Sequence, residues 1–270
     1  MPELPEVETT RRGILDAVQD HCVLKISVHN PRLRWPVPPE LSDLEGQQVR
    51  TITRRGKYLL LEAETGTALI HLGMSGSLRL VSPETPRKTH DHVELLMDSG
   101  LTLRLHDPRR FGCFLWLTTP PSEHPLLAKL GPEPLEPDFD GNWLFRYSRG
   151  RSAPVKSIIM DSHVVVGVGN IYANEALFRA GIHPLRAAGR ISALRYERLA
   201  NEIKAILAYA IEKGGTTLRD FVNSQGEPGY FQLELDAYGR GGLPCRRCQN
   251  AMKEVRLSGR STVFCPRCQH

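Results

Sequence analysis

Hydrophobic positions recur at helical spacing only once in the first half of the chain. Val7, Thr10, Ile14, Ala17 and Val18 fall on one side of a helix that opens near Pro5. After it the period shortens. Apolar runs at Val23–Val28, Val49–Thr53, Tyr58–Glu62, Ala68–Leu72, Ser77–Val81, Val93–Met97, Leu101–Leu105 and Cys113–Leu117 are separated by turn residues such as Gly66, Gly73, Gly76 and Ser99-Gly100. Runs of that length with partial alternation predict an all-β sandwich or barrel. Leu60 and Leu61 break strict alternation, so some strands are expected to be buried on both faces.

Residues 118–141 then carry six prolines (Pro120, Pro121, Pro125, Pro132, Pro134, Pro137), the best candidate for a domain boundary. Beyond them the pattern is helical. Asn170–Ala180 reads as a helix closed by Gly181. Ser192–Lys213 reads as a longer one, with Leu194, Leu199, Ile203, Ile206, Leu207 and Ala210 on one face and Gly214-Gly215 as its stop. A helix pair of this kind is compatible with DNA binding, although most helical hairpins are simply core. The polar, Gly-rich stretch 216–231 reads as a mobile lid or an ordinary connector.

Composition adds a class but no activity. A chain of 270 residues, 40% hydrophobic and 24% charged, is long enough for one large or two ordinary domains with real cores. Nothing approaches a membrane span, and no secretory signal precedes the first helix, so a cytosolic or nucleoid location is expected. The net charge of +5 is unevenly spread. Residues 240–270 hold seven basic side chains and one acid, Glu254, which leaves the remainder near −1. Arg50 to Lys57 and Arg146 to Lys156 are also acid-free and basic. Separate basic clusters point to a surface that follows a polyanion, against the simpler reading of a solvated basic face.

Two stretches carry chemistry. Removal of Met1 would leave Pro2 with a free secondary amine and the Glu3 carboxyl one residue away. An amine can attack a sugar C1′ or a carbonyl to form an iminium, and a neighbouring carboxyl can move the protons. Read alone, the same residues are first a proline-punctuated helix start, with Glu6 and Glu8 in the first turn. At the other end, Cys245-x2-Cys248-x16-Cys265-x2-Cys268 has the spacing of two knuckles around a tetrahedral zinc. Four protein ligands leave no open position, so that zinc would be structural; disulfides are the alternative, disfavoured in a reducing compartment. Cys22 and Cys113 lack ligand-like spacing and read as core thiols.

With these residues in view, the chain closely resembles the formamidopyrimidine-DNA glycosylases. The likeness rests on PELPEVE after Met1, Lys57 in RRGKYLLLE, HLGMSGS at 71–77, DPRRFG at 107–112, VGVGNIYA at 166–173, GGTTL at 214–218 and the C-terminal finger. The resemblance implies an α+β, multi-domain chain. Its parts would be an N-terminal β-sandwich with a leading helix over 1–130, a helix–two-turn–helix domain over 131–235, and a four-cysteine zinc finger over 236–270. It further implies a bifunctional glycosylase and abasic-site lyase, acting on damaged double-stranded DNA with one structural Zn²⁺. Leu4 and the DPRRFG loop favour oxidised purines over the oxidised pyrimidines of the endonuclease VIII group. A non-catalytic zinc-ribbon DNA binder would leave Pro2, Glu3 and Lys57 without a purpose. A clamp around one flipped nucleotide needs only a monomer.

The resemblance also assigns roles. Pro2 would be the nucleophile, Glu3 a proton donor and acceptor, and Lys57 a general acid/base that also meets phosphate. Arg260, in the Ser258-Gly259-Arg260-Ser261 turn, would grip the lesion phosphate. Met74, Arg109 and Phe111 would fill the gap left by a flipped base: Met as a flexible wedge, Phe between base steps, Arg toward the orphaned partner. Both Met74 and Phe111 lie in Gly-rich turns, an odd place for a core anchor. Asn170, at a predicted helix start, could hold a phosphate or simply cap the helix. His71, His90, Arg151 and Lys156 complete the expected phosphate contacts.

Overall fold

The computed structural model describes residues 2–215 and 235–270. These form two compact units. One holds the chain up to Lys129 together with Lys213 and its neighbours; the other holds Leu130–Glu212 and the chain from 235 onward. The four-cysteine finger therefore belongs to the helical unit and does not stand as a third body.

The first unit begins with helix α1, Leu4–Val18. Eight strands follow: β1 Val23–Val28, β2 Thr51–Arg55, β3 Tyr58–Glu62, β4 Thr67–His71, β5 Ser77–Val81, β6 Asp91–Met97, β7 Thr102–His106 and β8 Cys113–Leu117. They make two four-stranded antiparallel sheets, ordered β1-β6-β7-β5 and β2-β3-β4-β8. A single apolar core draws on both sheets, with Ile70, Phe114 and Trp116 from one and Val93, Leu95 and Leu103 from the other. The helix adds Val7, Ile14, Ala17 and Val18 to it. That is a sandwich with a leading helix.

Burial on both faces falls elsewhere than the Leu60-Leu61 pair suggests. In β3 the pattern still alternates, with Leu59 and Leu61 buried and Leu60 half-buried. Continuous burial belongs to β4 and β8, where Leu69 and Leu115 are covered as well as the core-facing residues. Runs such as ThrAlaLeuIle and CysPheLeuTrpLeu lack the polar alternate positions a solvated face requires.

The second unit holds α2 Gly141–Ser148, α3 Val155–Ile159, α4 Asn170–Ala180 and α5 Ala193–Glu212, then the finger hairpin of β9 Lys253–Leu257 and β10 Arg260–Phe264. Gly181 closes α4 in the left-handed conformation, φ 71°. The face expected of α5 is buried from Leu199 through Ala210, but Leu194 is 81% exposed, because it precedes the stretch that packs on α2 and α4.

Candidate active site and nucleic-acid interface

From Pro2 onward the chain is tied into the fold. Pro2 is buried and Glu3, 2% exposed, is the N-cap of α1. Glu6, fully buried, reaches back to the Glu3 N–H at 2.8 Å and closes a capping box. The helix is in turn tied to the β2–β3 hairpin. Glu8 accepts from Arg11, Arg12 and, at 3.3 Å, from Arg54 of β2. Arg11 also donates to the Ile52 carbonyl, and Arg54 to that of Gly56. Burial raises the Glu8 pKa, but the hydrogen bonds and charges of these arginines outweigh it and leave the carboxyl below its ordinary range. The hairpin turn so anchored is Gly56-Lys57, with Gly56 at φ 58°. Thus Pro2, Glu3 and Lys57 sit on two elements braced against each other by one carboxylate.

Beside Lys57, Tyr58 pairs across the sheet with His71, the rings 4.8 Å apart. Burial, with Lys57 and Arg34 adding positive charge, pushes the His71 pKa down to about 4. Its Nδ1 accepts the Gly73 N–H at 3.0 Å, so the neutral ring carries its proton on Nε2 and offers a donor.

Two loops follow from this corner. Met74 and Phe111 are 37% and 42% exposed, and the Arg109 guanidinium lies 4.9 Å from the Phe111 ring centroid. Their backbones touch: a Cβ on Gly73 (φ 65°) would lie 2.5 Å from Gly112 N and 2.6 Å from the Phe111 carbonyl carbon. Glycine at 73 is what lets the two loops meet and present Met74, Arg109 and Phe111 together. The second loop is closed by Asp107, which is fully buried and accepts the Gly112 N–H at 2.8 Å. His92 Nε2 bonds the Asp107 carbonyl, and the Asp107 N–H donates to the carbonyl of exposed His90. Next to His90, fully buried Asp91 accepts from Arg79, His106 and the Lys88 N–H.

In the second unit Arg260 is exposed and opens β10 directly after Ser258-Gly259. Both turn residues have positive φ, 48° and 77°, the type I′ geometry of a tight hairpin. Asn170 is the first residue of α4, with Gly169 as N-cap, so capping does not account for it. Arg151 is exposed; its Nε donates to the Tyr147 carbonyl and its guanidinium stacks on the Tyr147 ring at 4.2 Å. Lys156 corrects the expectation of a phosphate contact. It is 1% exposed, and its Nζ donates to the Ser261 carbonyl at 2.9 Å and to Thr262 Oγ1 at 2.7 Å. An ammonium buried on two finger oxygens is a structural tie.

The cysteines converge as their spacing predicts. All four sulfurs lie within 4.8 Å of one another, with Cys245–Cys268 at 3.9 Å and Cys248–Cys265 at 3.4 Å. Zn–S bonds of about 2.3 Å at tetrahedral angles need sulfurs about 3.8 Å apart, so the set fits one zinc. Phe178, Ala237, Met252 and Val263 pack around it.

Several residues that fix this geometry were not singled out in the sequence. Glu175 accepts three backbone N–H groups at 2.8 Å, from Asp236, Ala237 and Tyr238. Gln269 joins the Cys265 N–H to the Ile182 carbonyl, and Asn174 binds β10. For Glu175 and Asn174 the signal available was an acid or amide within an apolar helix, which hydrophobic periodicity discards; Gln269, beyond the last strand, carried none. The polar stretch 216–231 lies outside the described residues.

A sandwich that opens on a braced Pro2-Glu3 pair and presents exposed Met74, Arg109 and Phe111 on adjoining loops, and a helical unit carrying a basic four-cysteine finger, are the parts of an enzyme that works on DNA. Family models agree along the chain: the formamidopyrimidine-DNA glycosylase N-terminal domain matches residues 1–114, its H2TH domain 130–222, and the zinc finger found in FPG and IleRS 242–270. Formamidopyrimidine-DNA glycosylases of Marinobacter nauticus and Methylococcus capsulatus are 60% and 58% identical over the whole of both chains. The crystal structure of MutM (Fpg) from Thermus thermophilus is similar with TM-score 0.89 and 38% identity, covering 99% of this chain and 98% of that one. Lactococcus lactis Fpg bound to abasic-site DNA gives 0.90 and 33%, covering 99% of each. The chain belongs to the formamidopyrimidine-DNA glycosylase family. It is a DNA glycosylase of base excision repair, in a family where abasic-site lyase activity is typical.

Proposed function

We propose that Pro2, freed of Met1, is the nucleophile with which this enzyme excises oxidised purines from duplex DNA. The observation that carries the reading is the bracing of Pro2 and Glu3 against the Lys57 hairpin through Glu8, Arg11 and Arg54. A catalytic amine must be held in attack geometry, and here the first residues of the chain have no slack. The proline nitrogen attacks C1′ and the N-glycosidic bond breaks, the base leaving with its bonding pair and taking a proton. The sugar ring opens as Glu3 gives a proton to O4′, and the C1′–nitrogen iminium forms. Loss of a C2′ proton to Glu3 or Lys57 expels the 3′ phosphate; a second elimination expels the 5′ phosphate, and water releases the sugar fragment from Pro2. Met74 and Phe111 occupy the gap in the stack, and Arg109 meets the orphaned base. His71, His90, Arg151, Asn170 and Arg260 hold the backbone, with zinc maintaining the hairpin that bears Arg260.

The division of labour would follow residues 1–130, 131–235 and 236–270, and a monomer working in the nucleoid suffices. Among the described residues no helix is long and apolar enough to cross a membrane. The test is borohydride trapping on duplex DNA with 8-oxoguanine opposite cytosine, followed by peptide mapping. An adduct on Pro2 is expected, and Pro2→Gly should abolish it while DNA affinity persists. An adduct formed only with an oxidised pyrimidine, or on another residue, would overturn the assignment.

A further inference from the structure

We infer that Asn174 is a positioning residue that joins Asn170 and Arg260 into one phosphate clamp. The two proposed phosphate ligands stand on elements remote in sequence: Asn170 begins α4, and Arg260 begins β10 of the finger. Asn174, 1% exposed on α4, spans them. Its Oδ1 accepts the Val263 N–H at 2.8 Å, while its Nδ2 donates to the Asn170 carbonyl at 2.7 Å and lies 3.4 Å from the Ser261 carbonyl. One buried amide thus contacts the first turn of the helix and the residues that follow Arg260. Lys156 completes the bracket by binding Ser261 and Thr262 on the same strand.

The chemistry suits this task. An exposed arginine on a two-residue turn is mobile at its tip, so its reach is set by where the strand is fixed. A carboxamide both donates and accepts, and only such a group can serve the Val263 N–H and the Asn170 carbonyl together. A neutral amide at 174 also leaves the positive potential of Arg260 undiminished, which a carboxylate would not. The inference rests on the reading that Arg260 and Asn170 hold phosphate.

The experiment uses the full, zinc-loaded chain and a duplex bearing a tetrahydrofuran abasic-site analogue. Asn174→Leu should retain one zinc per chain and raise Kd about tenfold, the scale of a displaced charge-assisted contact. The resemblance also gives Arg260 a part in the second elimination, so on an abasic-site duplex the variant should shift products from double toward single elimination. In an Arg260→Ala background Asn174→Leu should raise Kd by clearly less than the tenfold it costs alone, the remainder reporting Asn170, because residues acting through one another are not additive. Asn174→Asp keeps the acceptor for Val263 but loses the amide donor, and should show the same non-additivity even where the leucine variant fails to fold. Full additivity in either variant, or zinc loss from both, would overturn the positioning role. An Arg260→Ala variant with unchanged affinity would instead remove the phosphate reading and the inference with it, so the two failures are distinguishable.

Discussion

Replacing Gly73 by alanine strikes the point where the two wedge loops touch. The position has φ 65°, which costs an alanine about 1 kcal/mol or slightly more. The new Cβ would also lie 2.5 Å from Gly112 N and 2.6 Å from the Phe111 carbonyl carbon. Both are backbone atoms, so no side chain can swing aside, and overpacking of this kind costs about 1–3 kcal/mol. The sum is a destabilisation of about 2–4 kcal/mol. Gly100 is the control, since it has φ 83° and nothing within 4 Å of its would-be Cβ. Gly100→Ala should therefore show the backbone cost alone. Equilibrium urea unfolding of both variants separates the steric from the conformational part. Because relief requires the Met74 loop to move from the Phe111 loop, single-turnover excision of 8-oxoguanine should slow by up to about 100-fold. If Gly73→Ala costs no more than Gly100→Ala and excises at the parental rate, the loops are not held by this contact.

Three further outcomes follow from the described geometry. His71 has a folded pKa of about 4 against 6.5 unfolded, so between those values the unfolded chain binds the proton. Its stability contribution is complete above pH 6.5 and is lost as pH falls toward 4, with a ceiling of about 3 kcal/mol; unfolding midpoints of His71→Gln should fall less between pH 7.5 and 5, and an unchanged pH slope would refute this. Asp91→Ala leaves Arg79 and His106 without their buried acceptor and should cost about 3–5 kcal/mol in chemical denaturation, whereas a loss below 1 kcal/mol would show the cluster relaxes. Chelating the zinc should weaken DNA binding while the β-sheet circular dichroism of the sandwich persists, because the finger core of Phe178, Ala237, Met252 and Val263 is too small to stand alone; binding that survived removal of the metal would contradict it.

Hydrophobic period made most of the sandwich legible. β1, β3, β5, β8 and α4 begin and end where their apolar runs do, since each run is bounded by turn residues. β2, β4 and β7 shift by one or two residues toward polar ends such as Arg55 and His106, which sheet pairing includes and hydrophobicity does not. Zinc spacing was readable because ligand geometry is local. The bracing of the candidate site and of the finger was not. Glu8 with Arg54, Glu175 with Ala237, and Asn174 with Val263 are side-chain contacts across 46, 62 and 89 residues. No local pattern encodes them. Lys156 shows the same limit, since in sequence it is one more cation of a basic run and in the fold it lies beneath the finger.

Burial of Pro2 has a consequence for biosynthesis. A processing enzyme must reach the peptide bond before Pro2, yet folding withdraws that residue from solvent. The braces that fix α1 come from the β2–β3 hairpin, and the sandwich is completed only with Leu117 of β8. At about 5–20 residues per second, translation from α1 to β8 takes on the order of ten seconds. Trimming of the nascent chain would precede that burial. On the proposed reading of Pro2 as nucleophile, molecules that keep Met1 would retain the basic surface and lack the free amine, so the competent fraction would follow the extent of trimming.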